Sequence, residues 1–119
     1  GTFNLEGEKS ELKTEQIHIF GESINGKYEN INQNNEINNL IVIDRDIVNI
    51  IDTDIDMFAK KAIYSKKNNL IELFENVKII RNTEIATGDY AKINTLDQSY
   101  KIISKDTNKV KLLIETTDE

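Results

Sequence analysis

The feature that most constrains this chain is that it repeats itself. Gly26-Lys27-Tyr28-Glu29-Asn30-Ile31 returns as Gly88-Asp89-Tyr90-Ala91-Lys92-Ile93, 62 positions later, and a weaker middle copy runs from Ala59 through Lys60, Lys61, Ala62 and Ile63 to Tyr64. The segment that follows each copy returns as well: Val48-Asn49-Ile50-Ile51, Val77-Lys78-Ile79-Ile80 and Val110-Lys111-Leu112-Leu113. The first and third of these lie 62 apart and the second follows the first by 29. The unit is therefore about thirty residues long and occurs three times. A unit that short cannot bury its own apolar face and must stack on its neighbours, which predicts an elongated sheet with pairing-prone ends. Repetition alone also allows three similar hairpins to close into an ordinary sandwich.

Within the units, apolar residues recur mostly at spacing two, the period of half-buried strands. Ile55, Met57 and Ala59 alternate with Asp54, Asp56 and Phe58; Tyr100 and Ile102 alternate with Ser99 and Lys101; Val110, Leu112 and Ile114 alternate with Lys111 and Leu113. Between such runs lie Asn34-Asn35, Lys66-Lys67-Asn68-Asn69, Arg81-Asn82-Thr83 and Asp106-Thr107-Asn108, all of hairpin-turn composition. About eight to ten antiparallel strands are expected. Glu8 to Gln16 has the only helical claim and few apolar residues, so residues 1–15 are expected to be a flexible N-terminal segment and 16–116 a single β domain. The 20 Ile and 15 Asn, with no Pro and no Trp, fit strands joined by Asn turns, although an AT-rich coding sequence gives the same excess.

Charge and missing residue types remove several functions. With 15 Lys+Arg against 21 Asp+Glu and a net charge of -6, nothing attracts the chain to phosphate backbones, and no nucleic acid partner is expected. Without cysteine there is no disulfide, thiolate metal site or thiol nucleophile. No apolar run approaches the roughly 20 residues of a membrane-spanning helix. The first 20 residues lack the order of a signal peptide, so any leader is expected to have been removed already or never to have existed.

No catalytic constellation emerges. His18 is the sole histidine and no G-x-S-x-G turn serves it, so it is expected to be a strand residue facing solvent. Asp52-Thr53-Asp54-Ile55-Asp56 has the opening spacing of a calcium loop but carries Met57 where the glycine belongs and Ile63 where the glutamate belongs. Asp52, Asp54 and Asp56 are expected instead on the solvated face of a strand. Gly26 and Gly88 are expected at bulges or tight bends, and Tyr28 and Tyr90 as packing residues at equivalent places in their units. No metal or other cofactor is expected. Much aliphatic surface and no catalytic machinery point to binding something apolar.

Several segments resemble the OstA-like lipopolysaccharide-transport family, the periplasmic β-jellyroll proteins of the LptA and LptC type. They are Ala59-Lys60-Lys61-Ala62-Ile63-Tyr64 with Asn69-Leu70-Ile71-Glu72-Leu73, then Glu75-Asn76-Val77-Lys78-Ile79, Ile85-Ala86-Thr87-Gly88-Asp89-Tyr90-Ala91 and the closing Lys109-Val110-Lys111. The glycine usual before the asparagine is Glu75 here, and the first 20 residues lack the family's opening strand. The resemblance implies an all-β, repetitive antiparallel jellyroll, elongated and open along one side. It also implies a periplasmic protein that shelters the lipid A acyl chains of lipopolysaccharide in an apolar groove. Its partners would be other OstA-like jellyrolls, joined head to tail by edge strands, and further copies of itself in a homo-oligomer. Asp89 and Asn76 would have turn and strand-end duties.

The expected groove is lined by Val48, Ile50, Ile55, Met57, Ile71, Leu73, Val77, Ile79, Ile85, Tyr100, Ile102, Val110 and Leu112, with some of these facing lipid and the rest forming core. The leading expectation is a non-enzymatic bridge protein of the LptA type. An LptC-type membrane-anchored partner, a structural β-solenoid without lipid and a small carbohydrate-active enzyme using paired carboxylates are the other readings. The last lacks a tryptophan sugar platform.

Overall fold

Seven runs of alternating residues form a continuous ladder in the computed structural model, which describes residues 1–105 and the backbone of 111–114. The strands are β1 (Thr2–Lys13), β2 (Ile17–Ile31), β3 (Asn34–Asp52), β4 (Ile55–Ser65), β5 (Leu70–Arg81), β6 (Glu84–Asn94), β7 (Tyr100–Ile103) and β8 (Lys111–Ile114). All pair antiparallel in the order β1-β2-β3-β4-β5-β6-β7, and β8 also pairs with β6. β7 lies opposite residues 90–93 of β6 and β8 opposite 84–87, so together they make one interrupted last strand. The sheet is open: β1 at one end and β7 with β8 at the other do not pair with each other.

Short turns account for this meander. Asn32 and Gln33, between β2 and β3, both have positive φ (52° and 69°), as a type I′ turn needs. The turn therefore falls two residues before the expected Asn34-Asn35, which open β3 instead. Asn69 and Asn82 also take positive φ at the turns between β4 and β5 and between β5 and β6, close to where composition put them. Asp106-Thr107-Asn108 lies outside the described residues.

Two expectations about the N-terminal half are corrected. Residues 1–15 do not fray: Thr2 to Lys13 pair with Lys27 to His18 of β2, because Phe3, Leu5 and Leu12 reach the core while the Glu and Lys residues between them point away. The expected equivalence of Gly26 and Gly88 also fails. Val48 pairs with Ala59 and Val77 with Gly88, so Val48 and Val77, 29 apart, do occupy equivalent places. Gly26, by contrast, pairs with Phe3 and Leu40, off the line of bends that Gly88 borders, although a separate register shift against β3 falls one residue on, between Lys27 and Tyr28. Consequently Tyr28 packs beside Phe3, on the side of the sheet that carries the core, whereas Tyr90 stacks on Phe74 on the outer side.

The bend comes from a line of bulges that crosses the sheet. Register shifts fall between Glu6 and Ser10, Phe20 and Ser23, Ile43 and Val48, Phe58 and Lys61, and Phe74 and Val77. Bulges kink a strand and re-aim its side chains. In β2 the buried set switches from Ile17 and Ile19 to Ile24, in β4 from Ile55, Met57 and Ala59 to Ala62, and in β6 from Ala86 to Ala91 and Ile93. The same face of the sheet thus stays apolar on both sides of the line, and each strand has two arms.

The two arms cover one another. Ile19, Ile24, Leu40, Ile55, Met57, Ile71, Leu73, Ile79 and Ile93 are all fully buried, which one layer of sheet cannot achieve alone. The extents of 50 × 31 × 23 Å agree, since two layers about 10 Å apart fit the shortest dimension and a single flat layer does not.

Candidate functional site

The space between the arms is the candidate site. Its walls are aliphatic because strand alternation sends one residue in two inward, and the parity resets at the bulges keep that true along each strand. Burial is graded across the sheet. The middle strands contribute fully buried side chains, whereas Phe3, Leu5 and Leu12 of β1, with Tyr100 and Ile102 of β7, are half-buried and packed against that core. The apolar interior therefore runs from one end strand to the other and reaches solvent at its ends.

Most of the residues expected in a groove do meet in this interior. Val48, Ile50, Ile55, Met57, Ile71, Leu73, Val77 and Ile79 belong to one buried cluster, with Tyr100 and Ile102 at its margin. These eight are closed core in this conformation, so the part of the interior that touches water lies on β1 and β7, with Ile37 of β3 and Tyr64 of β4 adding to it near their turns. Ile85 is a correction: it pairs with Ile80 on the outer side, while Ala86 takes the inward place opposite Ile79. The turn at Asn82-Thr83 sets that parity, which a run of letters does not display. Leu112 pairs in the backbone ladder with Ala86, and Val110 lies outside the described residues.

Sequence reading missed Phe3, Leu5 and Leu12, although Phe3 and Leu5 stand at the strand period in a Glu-rich background. It also missed Ile24, Leu40, Val42, Ala62, Ala91 and Ile93, which complete the interior. Two glycines make room for it. A Cβ on Gly26 would sit 2.3 Å from the Phe3 ring, and one on Gly88 would sit 2.8 Å from Cγ1 of Ile102. Neither glycine has positive φ, so close approach is what requires them.

The free ends of the arms meet through polar groups, and this corrects the reading of Asp52. The turn at Thr53-Asp54 separates Asp52 from Asp56, so the three acids do not share a solvated face. Asp52 points inward and is fully buried. Its carboxylate accepts hydrogen bonds from Gln16 Nε2 at 3.3 Å, Gln98 Nε2 at 3.2 Å and Thr53 Oγ1 at 3.2 Å. Gln16 Nε2 also donates to the Thr95 carbonyl at 2.8 Å, and an Arg81 guanidinium nitrogen donates to the Gln98 carbonyl at 2.8 Å. Tyr100 donates its hydroxyl proton to Glu84, and the Arg81 guanidinium lies 5.4 Å from the Tyr100 ring centre. Burial and then the bond to Glu84 push the Tyr100 hydroxyl up to about 12. Burial also raises Tyr64, with Lys66 opposing and the Asp52 carboxylate adding to the rise.

On the outside, His18 is half-buried, 2.7 Å from a Glu11 carboxylate oxygen and packed on Phe20 at 4.3 Å between ring centres. Tyr90 donates to Glu72 at 2.5 Å, and burial followed by that bond pushes its hydroxyl up to about 12. A hollow of about 450 Å³ is bordered by Asn25, Lys27 and Ile41 together with Phe3, Gly26 and Leu40, and one of about 820 Å³ by Phe20, Asp44 and Phe58.

No protein-family model matches the sequence, and no curated protein matches it. Among solved structures, the chain is similar to LptH from Pseudomonas aeruginosa, described as the LptA-homologous periplasmic component of the conserved lipopolysaccharide transport device. The two agree with a TM-score of 0.78 over 98% of this chain and 85% of that one, at 10% sequence identity. What this chain shares with LptH is the fold: an all-β, jellyroll-like open sheet of antiparallel strands.

Proposed function

We propose that this chain is a non-enzymatic, periplasmic lipopolysaccharide-binding protein that shelters acyl chains between its two arms as part of a transport bridge. The observation that carries the reading is the apolar interior that runs the length of an unclosed sheet, in a fold shared with LptH. Each methylene moved from water into such an interior contributes about 0.8 kcal/mol, so about ten of them give about 8 kcal/mol, enough for micromolar binding before ordering costs. Aliphatic walls offer few hydrogen bonds to fix one pose, which suits a conduit. The end strands β1 and β7 each have a ladder neighbour on one side among the described residues, and that favours head-to-tail addition of further jellyroll units or copies of this chain.

Native mass spectrometry with purified lipopolysaccharide tests the reading, comparing the wild-type chain with Leu5→Asp and Ile102→Asp. Both positions are half-buried at the margin, so both variants are expected to remain folded and to lose the lipid adducts. Wild-type protein without adducts, or margin variants that keep wild-type adduct levels, would defeat the proposal. A ladder of lipid-free oligomers would favour structural assembly through the strand edges.

A further inference from the structure

The segment joining β6 to β7 crosses from one arm to the other. β6 ends in the arm that carries Ile71, Leu73 and Ile93, yet the groups that Thr95–Tyr100 contact across the gap sit at the free end of the opposite arm: Gln16 before β2, Asp52 at the end of β3, Arg81 at the end of β5 and Glu84 at the start of β6. Elsewhere the described backbone hydrogen bonds of the ladder join neighbouring strands, and the arms are continuous only through the bends.

The segment is also shaped before it reaches across. Asn94 Oδ1 accepts from the Leu96 and Asp97 backbone N–H groups, and Asp97 accepts from both the N–H and the hydroxyl of Ser99. Gln98 holds a positive φ of 60°, which aims its side chain at Asp52 and its carbonyl at Arg81. Thr95 is buried under this arrangement, while Leu96 at the tip is 76% exposed. The contacts that cross the gap are a few hydrogen bonds to Gln16, Asp52 and Arg81, with the Asp52 carboxylate fully buried among them, whereas the middle strands meet through aliphatic packing. A few hydrogen bonds can be exchanged for water when the segment lifts, and the packed interior cannot.

We infer that residues 95–99 form a strap that closes the open side of the sheet, and that release of its contacts to Gln16, Asp52 and Arg81 opens the interior for a chain-like apolar ligand to enter sideways. The inference rests on the lipid-binding reading above. It adds the place of entry and the residues that control it. Asp52 is the hub, because its one carboxylate joins Gln16 of one arm to Gln98 of the strap; Leu96, exposed and apolar, is the first group that an incoming acyl chain meets.

The absence of cysteine from the chain makes a direct test possible. In the Gln16→Cys/Gln98→Cys variant both thiols flank the same carboxylate, so a short bis-maleimide can bridge them. Uptake of lipopolysaccharide carrying a fluorescent acyl chain is followed by stopped flow before and after bridging, with circular dichroism confirming that the two samples share one fold. Bridging is expected to slow uptake at least tenfold, and the unbridged variant is expected to load faster than wild type. Equal rates with and without the bridge would overturn the strap while leaving lipid binding intact. No uptake by wild-type protein would remove the reading on which the strap depends. Hydrogen exchange supplies a readout without lipid: in Gln16→Ala/Gln98→Ala the amides of residues 95–99 should exchange at least tenfold faster while those of β4 and β5 are unchanged. Unchanged protection of the strap would also refute it.

Discussion

Leu73 separates a packed interior from an open groove. It lies in the middle of β5 between Ala62 and Ala91, fully buried, and each neighbour is too small to refill the space that its truncation leaves. Leu73→Ala is therefore expected at the upper part of the range for buried leucines, about 3–5 kcal/mol. A chain of this length has roughly 6–18 kcal/mol of stability at about 0.05–0.15 kcal/mol per residue, so the variant should fold with a lowered midpoint. With a urea slope of about 1–3 kcal/mol per molar, the midpoint should fall by about 2 M. Leu73→Asp is a harsher case. It forfeits about 3 kcal/mol of apolar burial and adds the cost of a carboxylate without a partner, several kcal/mol more, which together approach the whole stability. Far-ultraviolet circular dichroism against urea, with tyrosine fluorescence as the second probe, measures both variants. A Leu73→Asp protein that folds with a midpoint near wild type would mean that water reaches this site. The closed interior described above would then be wrong, and an open groove right.

Two further outcomes follow from particular contacts. Gly88→Ala would place a Cβ 2.8 Å from Ile102 Cγ1 and 3.0 Å from the Ile103 carbonyl oxygen, so β7 must shift; a loss of about 1–3 kcal/mol is expected in urea melts, and an unchanged midpoint would show that β7 is loosely held. Tyr90 and Tyr100 have hydroxyls raised from 10.0 to about 12, so the folded state favours their neutral forms. Their contribution to stability is complete below pH 10 and is lost as pH rises from 10 towards about 12. Urea midpoints should hold steady up to pH 10 and then fall, and the fall should shrink in Tyr90→Phe/Tyr100→Phe; a fall that begins well below pH 10 would contradict this.

The period-two pattern carried most of the fold, since inward aliphatics and outward polar residues specify strands whatever they pack against, and Asn-rich turns cut those strands to length. The 29-residue spacing of Val48 and Val77 likewise reported a real structural unit. The match of Gly26 to Gly88 did not, because both make room for a neighbouring side chain while only Gly88 borders the line of bulges that bends the sheet. Asp52 and Ile85 show the same limit. Each follows its neighbours in apparent alternation, yet each lies beside a turn that resets which face a residue takes. The N-terminal strand was hidden for another reason: its apolar residues are sparse, and its order comes from pairing along β2 rather than from local preference.

By itself, then, the sequence determined an all-β meander of short-turned strands with one apolar face. Those properties are local, written into alternation, turn residues and composition. Only the tertiary structure decided that the face folds upon itself along a line of bulges, that the centres of the middle strands are closed core while β1 and β7 form most of the margin, and that residues 95–99 join the arms through Asp52. These depend on register and on contacts as distant as Gln16 with Thr95, and register is fixed by the sum of all the pairings rather than by any one segment.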